Sequence, residues 1–308
     1  MSTVKTKIDN EVVLNFLKSD FAPDVQSLTT IKEGETSQAF SFSSKAKEFV
    51  IRVNPQKHGF KKDKYAHEHF NSQKIPIPKT FQIGKLGDEF YYSITEKVEG
   101  KIIDHFEKEE IRKFIPELIN VLDSIHGFDI GETQFGDWEI DGKAPEISWK
   151  NYLHKLIVGF EGYENKTPDS TLLEPAVVQK LIARYKQLVD YCPNIRHLVH
   201  ADYGFNNLLS DGKKITGVID WELSKYGDFI YDIAWLSFWE TTIDYADIFL
   251  KHYLKTNVSV PNFQERLLCY EIHLGLGALS FFSDSEQEKS YKWAKERLLK
   301  LVEQPSIS

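Results

Sequence analysis

The sequence predicts an α+β fold, with strands gathered in its first third and helices in the remainder. Three observations carry that expectation. Residues 28–54 and 79–98 hold short β-patterned runs separated by turns. Helical spacing takes over after Glu96, Lys97, Val98, Glu99 and Gly100, which divides the chain into 1–97 and 98–308. Residues 198–209 set His200, Asp202, Asn206 and Asn207 between the apolar pairs Leu198-Val199 and Leu208-Leu209, and 215–221 then read as a short buried strand with Asp220 near its end.

A chain of 308 residues is long enough for one large domain or for two lobes with a cleft. Its 41% hydrophobic and 27% charged residues are those of a soluble globular protein. A net charge of −8 disfavours nucleic acid as a partner and suits a cationic small molecule, although such a charge also serves solubility alone. Cys192 and Cys269 lie far apart without metal-ligand spacing and are expected as reduced thiols of a cytoplasmic protein. No apolar run follows the first five residues, and none approaches the roughly 18 residues of a membrane helix, so neither signal peptide nor membrane partner is expected.

Taken in order, residues 9–18 have helical spacing with Asp9 or Asn10 as cap. Strands are expected at 39–42 and 48–53, after the small-polar turn 33–38. Such a turn either folds a flap over phosphates with backbone N–H groups or closes an ordinary hairpin. Arg52 interrupts the second strand's apolar run, and a cation there meets either a structural carboxylate or a phosphate. Residues 61–73 read as a helix that Ile75-Pro76-Ile77-Pro78 ends. Its His67 and His69, two apart, fall on different faces and do not make a metal pair. Strands follow at 80–83 and 90–95.

Residues 107–126 form a strongly amphipathic helix whose last residue, His126, has no evident task. Residues 131–148 read as a long surface loop of the kind that carries specificity. Helices are expected at 149–161, 171–191, 229–239, 244–256, 262–283 and 289–302. Asp232, inside the apolar run 229–239, reads as a paired structural carboxylate.

The turn Asp211-Gly212 folds the polar stretch back on 215–221 and gathers Asp202, Asn207 and Asp220. Two carboxylates and an amide converging at strand ends make a Mg²⁺ site with a spare base. The spacing His200-x-Asp202-x-x-x-x-Asn207 is the frame of a kinase catalytic loop, with Asp220 in the place of the metal-binding aspartate. Phosphoryl transfer needs little more: a carboxylate for the acceptor's proton, oxygen ligands for Mg²⁺, a cation on the phosphates and a backbone hinge for the base. In that frame Asp202 is the base and His200 braces the loop. A metal site on His197 and His200 fails for want of further ligands at suitable spacing.

These motifs resemble the aminoglycoside phosphotransferase family, and within it the hygromycin B phosphotransferases, along most of residues 28–240. The likeness is carried by residues 33–42, Arg52-Val53-Asn54, Ile75-Pro76-Ile77-Pro78, residues 196–202, Asn206-Asn207 and Val218-Ile219-Asp220-Trp221. The resemblance implies a two-lobed, protein-kinase-like fold with a β-sheet N-lobe over 1–97 and a mainly helical C-lobe over 98–308. It implies Asp202 as the catalytic residue and Asn207 and Asp220 as Mg²⁺ ligands. Gly34, Glu35, Thr36 and Ser37 become the nucleotide loop, Glu96, Lys97 and Val98 the adenine hinge, and Arg52 replaces the usual strand lysine. The cofactors implied are ATP, or GTP, and Mg²⁺.

The helix glutamate that pairs with that lysine has no clear counterpart, and Asp63 or Glu68 could serve. Asp220-Trp221-Glu222 lacks the glycine of protein kinases, which argues for a small-molecule enzyme rather than a protein-kinase switch.

The expected reaction is phosphorylation of a hydroxyl on an aminoglycoside, hygromycin B above others, conferring resistance. The alternatives are a kinase of another small hydroxylated metabolite, sugar or amino alcohol, and a nucleotide-binding module without transfer. A polycationic, hydroxyl-rich acceptor calls for carboxylates and a flat aromatic face. Asp202, Glu222, Asp228, Trp239, Glu240 and Glu271 are the candidates, set against helix packing for Trp239 and a solvated helix end for Glu240. A monomer is expected.

Overall fold

The strand-patterned first third folds into one antiparallel sheet of five strands in the order β1-β2-β3-β5-β4. The computed structural model describes residues 6–31, 37–161 and 172–303. Helix α1 (Asn10–Phe16) opens the described chain, and Asp9 is its cap, accepting from the Glu11 N–H at 2.7 Å. Strands β1 (Gln26–Ile31), β2 (Gln38–Ser44) and β3 (Lys47–Asn54) follow, then helix α2 (His58–Phe70) and strands β4 (Thr80–Leu86) and β5 (Phe90–Glu96). Alternation along β3 sends Phe49, Ile51 and Val53 into a core shared with Phe40, Phe42, Ile94 and α1's Val13. The same alternation turns Arg52 to the other face of the sheet.

After the hinge come β6 (Lys101–Ile102), α3 (Lys108–His126), β7 (Gly136–Asp137), α4 (Trp149–Glu161) and α5 (Pro175–Val189). Helix α3 starts with a reciprocal capping box between Glu107 and Glu110, which satisfies donors that the first turn leaves open. Strands β8 (His197–Val199), β9 (Leu208–Ser210), β10 (Ile215–Val218) and β11 (Lys225–Gly227) precede α6 (Ile230–Trp239), α7 (Tyr245–Lys255), α8 (Phe263–Asp284) and α9 (Glu288–Glu303). The strands make two small sheets, β10-β9-β6 and β7-β11-β8. The expected hairpin is present: β9 and β10 pair antiparallel, with Leu208 opposite Val218. Among the described residues no helix is long and apolar enough to cross a membrane, and Cys192 and Cys269 are free and buried.

Helix α2 precedes the hinge in sequence, yet its buried Ala66 and Phe70 belong to the core of the helical lobe, with Ile75 and Ile77 beside them. Phe70 sets its ring near Phe128 at 5.2 Å, Trp138 at 5.7 Å and Trp221 at 5.9 Å. The stretch 131–148 is therefore only partly a surface loop. Phe135 bridges Glu146, β7 joins a sheet, and Trp138 is buried against Tyr65 and Phe70. Burial of that large ring decides against a free loop.

One candidate acceptor residue is displaced from that role. Asp228 is fully buried, because β11 runs inward to pair with β8. Arg266 of α8 donates to it from Nε at 2.8 Å and Nη2 at 2.6 Å, and the Tyr270 hydroxyl at 2.6 Å. The carboxylate ties the entrance of α6 to α8 instead of facing a cleft. Arg266→Met leaves that carboxylate buried without its cation, at a cost of about 3–5 kcal/mol. Urea unfolding of the variant reads the loss, and a change under about 1 kcal/mol would show that the pair is dispensable.

Candidate active site

The polar stretch after β8 is held by one buried carboxylate. Asp232 of α6 accepts the His200 N–H at 3.0 Å and the Ala201 N–H at 2.6 Å, and its Oδ2 lies 2.9 Å from His126 Nε2. The expectation of a paired structural carboxylate is met, and His126 gains its task. Ala201 turns the chain with φ at 63°, a costly conformation for a residue with a Cβ.

His200 is buried and links the two strand ends. Its Nε2 lies 3.1 Å from the Ile219 carbonyl, and the Asp202 N–H donates to its Nδ1 at 3.3 Å. Those partners assign the proton to Nε2. Burial lowers the imidazole's pKa to about 4, so it stays neutral near pH 7.

Asn207 ends the short 3₁₀ turn Phe205–Asn207. Its Nδ2 donates to the Asp202 carbonyl at 2.9 Å, and its own carbonyl accepts the Ile219 N–H at 3.0 Å. The amide oxygen remains as the group that can meet a cation. Asp202, Asn207 and the Ile219–Asp220 strand end are thus cross-bonded into one frame.

Asp220 also has a positive φ, 64°. Burial pushes its carboxyl up to about 6, Asp63 and Glu222 push the same way, and Arg52 opposes them. Arg52 pairs with Asp63, which decides between the two expected partners, since Glu68 pairs with Lys64 at 3.7 Å on the surface. Asp63 also accepts the Trp221 N–H at 2.8 Å. One carboxylate therefore joins the sheet's cation to the residue after Asp220.

Carboxylates in excess of cations around Asp220, with an amide oxygen on the same frame, are a donor set that suits a hard divalent cation. Among the described residues no group of three or more His, Cys, Asp or Glu could hold a metal alone. A magnesium that keeps waters and phosphate oxygens needs no such cage.

Of the residues expected at the nucleotide, Gly34, Glu35 and Thr36 lie outside the described residues. Ser37 Oγ accepts from Asn54 Nδ2 at 3.0 Å. Glu96 ends β5, and Lys97 is engaged with Glu48 through both its N–H at 3.3 Å and its Nζ at 2.7 Å. Val98 lies beside β10: a Cβ placed on Gly217 would stand 3.4 Å from Val98 and 3.3 Å from Leu209. Val98 and Leu209 thus converge on Gly217 as an apolar pair.

The remaining acceptor candidates are spread more widely. Glu222 is exposed, and its carboxylate stands 2.7 Å from where a Cβ on Gly59 would lie. Trp239 is half-buried and stacks on Trp293 of α9 at 5.4 Å and 15°. Its Nε1 has no partner among the described residues. Glu240 is half-buried, and burial, then Asp104, raise its carboxyl. Glu271 is buried, accepts from the Ser237 hydroxyl at 2.8 Å and lies 3.8 Å from Arg297; burial lifts its carboxyl to about 7.

Sequence reasoning missed Trp235. A Cβ on Gly204 would stand 3.5 Å from Trp235 Nε1, which brings that indole to the loop that carries Asp202. Its ring lies 5.9 Å from Trp239. The signal was available, because 235 and 239 share a helix face.

A model of the phosphotransferase enzyme family matches residues 27–265. Hygromycin-B 4-O-kinase of Escherichia coli is 29% identical over 276 residues, covering 89% of this chain and 80% of that protein. Acyl-CoA dehydrogenase family member 11 of Rattus norvegicus is 25% identical over 88% of this chain, which spans 37% of that longer protein. A thermostable mutant of aminoglycoside phosphotransferase APH(4)-Ia, crystallised as a ternary complex with AMP-PNP and hygromycin B, aligns with a TM-score of 0.84 at 27% identity, covering 96% of this chain and 99% of that one. The two-lobed, protein-kinase-like architecture expected from the sequence is the one found, and the chain belongs to the phosphotransferase enzyme family.

Proposed function

We propose that the chain is a cytoplasmic, monomeric kinase that moves the γ-phosphoryl group of ATP, with Mg²⁺, onto a hydroxyl of an aminoglycoside, hygromycin B foremost, and so confers resistance. The observation that carries this reading is the cross-bonded frame of Asp202, Asn207 and Asp220, with Arg52 and Asp63 joined to its far end. The likeness to the Escherichia coli hygromycin-B 4-O-kinase and to the AMP-PNP and hygromycin B complex supports the donor and the acceptor class.

In this reading Asp202 accepts the proton of the attacking hydroxyl. The new bond forms between that oxygen and the γ-phosphorus, and the bond to the β–γ bridging oxygen breaks, releasing ADP. Asn207 and Asp220 would hold magnesium, which would supply charge neutralisation on the phosphates. Arg52 meets phosphate oxygens as a fixed cation, because Asp63 keeps its guanidinium in place. Val98 and Leu209 give the base an apolar contact at the hinge. His200 remains neutral and holds the loop. Trp235 and Trp239 offer ring faces to the acceptor's sugars, and Glu222 and Glu240 offer charge to its amines, whereas the buried Glu271 is taken by Ser237.

Asp202→Asn is expected to lower turnover by about 10²–10⁴-fold, the range of general-base assistance, with an unchanged melting midpoint. Full activity in that variant would remove Asp202 from the role. Trp235→Ala is expected to raise the acceptor KM by roughly tenfold, the worth of one good ring contact, and to leave the KM for ATP alone. Expression in a susceptible host, tested on hygromycin B beside other aminoglycosides, decides the acceptor. Resistance to none of them would transfer the reading to a metabolite kinase on the same fold.

A further inference from the structure

Two consecutive residues of α2 grip the chain just after Asp220. Asp63 takes the Trp221 N–H at 2.8 Å. Lys62 is 1% exposed, and its Nζ donates to the Glu222 carbonyl at 2.7 Å and to the Ser224 carbonyl at 2.9 Å. The ammonium also sits 4.2 Å from the centre of the Trp138 ring. An anion thus holds a donor and a cation holds two acceptors, all within four residues of the backbone.

An apolar side chain could lie on Trp138 equally well, but it would leave the buried Ser224 carbonyl and the part-buried Glu222 carbonyl without this partner. Burial lowers the Lys62 ammonium to about 8, which leaves it mostly charged near pH 7. Asp137, Glu222 and Glu139 favour the charge and Lys225 opposes it. The helix that supplies the grip does not move freely with the sheet, because Ala66 and Phe70 are packed in the core of the helical lobe.

We propose that Lys62 is a positioning residue that fixes residues 221–224 and so keeps Asp220 in its cation-binding orientation whether or not nucleotide is present. The inference rests on the reading of Asp220 as a magnesium ligand. Lys62 touches neither nucleotide nor acceptor in this account and acts only through the backbone.

The test compares ADP binding by calorimetry in excess Mg²⁺ and in EDTA. The unaltered chain gains affinity from magnesium. In Lys62→Met that gain is expected to fall at least fivefold, with metal-free ADP affinity changed less than twofold. Lys62→Arg, which keeps the charge, is expected to retain most of the gain. A folded Lys62→Met protein with the full magnesium gain overturns the proposal, since a merely structural lysine would lower only the melting midpoint.

Hydrogen exchange on the unaltered chain gives a second decision that needs no variant. The peptide spanning 219–226 is expected to be protected to the level of α6, with and without MgADP. Rapid exchange in the nucleotide-free chain overturns the clamp. Absence of any magnesium gain in the unaltered chain would instead overturn the metal assignment, and the exchange result would still decide the clamp.

Discussion

The buried carboxylate of Asp232 is the contact on which the candidate site depends. Two consecutive backbone N–H groups, of His200 and Ala201, reach no strand partner because the chain turns sharply there, and both end on this one side chain. A buried donor left open costs about 1–3 kcal/mol, so pairing both N–H groups with Asp232 favours this arrangement of the loop. His126 completes the shell from α3. The loop that bears Asp202 is therefore built from the middle of the helical core outward, and its strained φ at Ala201 is held by helices rather than by the loop itself.

The same logic operates at the other strand end. Asp220 adopts a left-handed conformation within a group of carboxylates, and that arrangement persists because the neighbouring N–H and carbonyls are taken by α2. The sheet contributes Arg52, the helix contributes Asp63, and the core contributes Trp221. Arg52 and Asp63 have backbone settings decided by apolar packing elsewhere: Arg52 by the inward alternation of Ile51 and Val53, Asp63 by Ala66 and Phe70. Polar geometry here follows from hydrophobic periodicity.

Much of this was legible in the sequence. The strands at 39–42, 48–53, 80–83 and 90–95, the helices and the β9–β10 hairpin followed from period and turn chemistry, because those are local properties. The paired state of Asp232 and the bracing by His200 were readable from a polar residue in an apolar run. Three features were not. Asp228 was placed in the cleft because its sequence neighbours lead there, but strand β11 turns it toward Arg266, a partner 38 positions away. Trp138 looked like part of a surface loop until α2 supplied a face to cover it. Asp63 and Glu68 could not be separated from spacing alone, since the choice depends on which helix face meets the sheet. Each of these three concerns a contact between elements distant in sequence, which local pattern does not encode.

The packing of α2 into the helical lobe has a consequence for control. In a two-lobed enzyme whose cleft helix travels with the sheet, swinging that helix outward is a ready means of silencing it. Here Phe70 is wedged among Phe128, Trp138 and Trp221, and withdrawing it would open a hole in the core. An outward swing of α2 would therefore carry the cost of that cavity, which anchors this helix to the lobe it faces and not only to the sheet it follows.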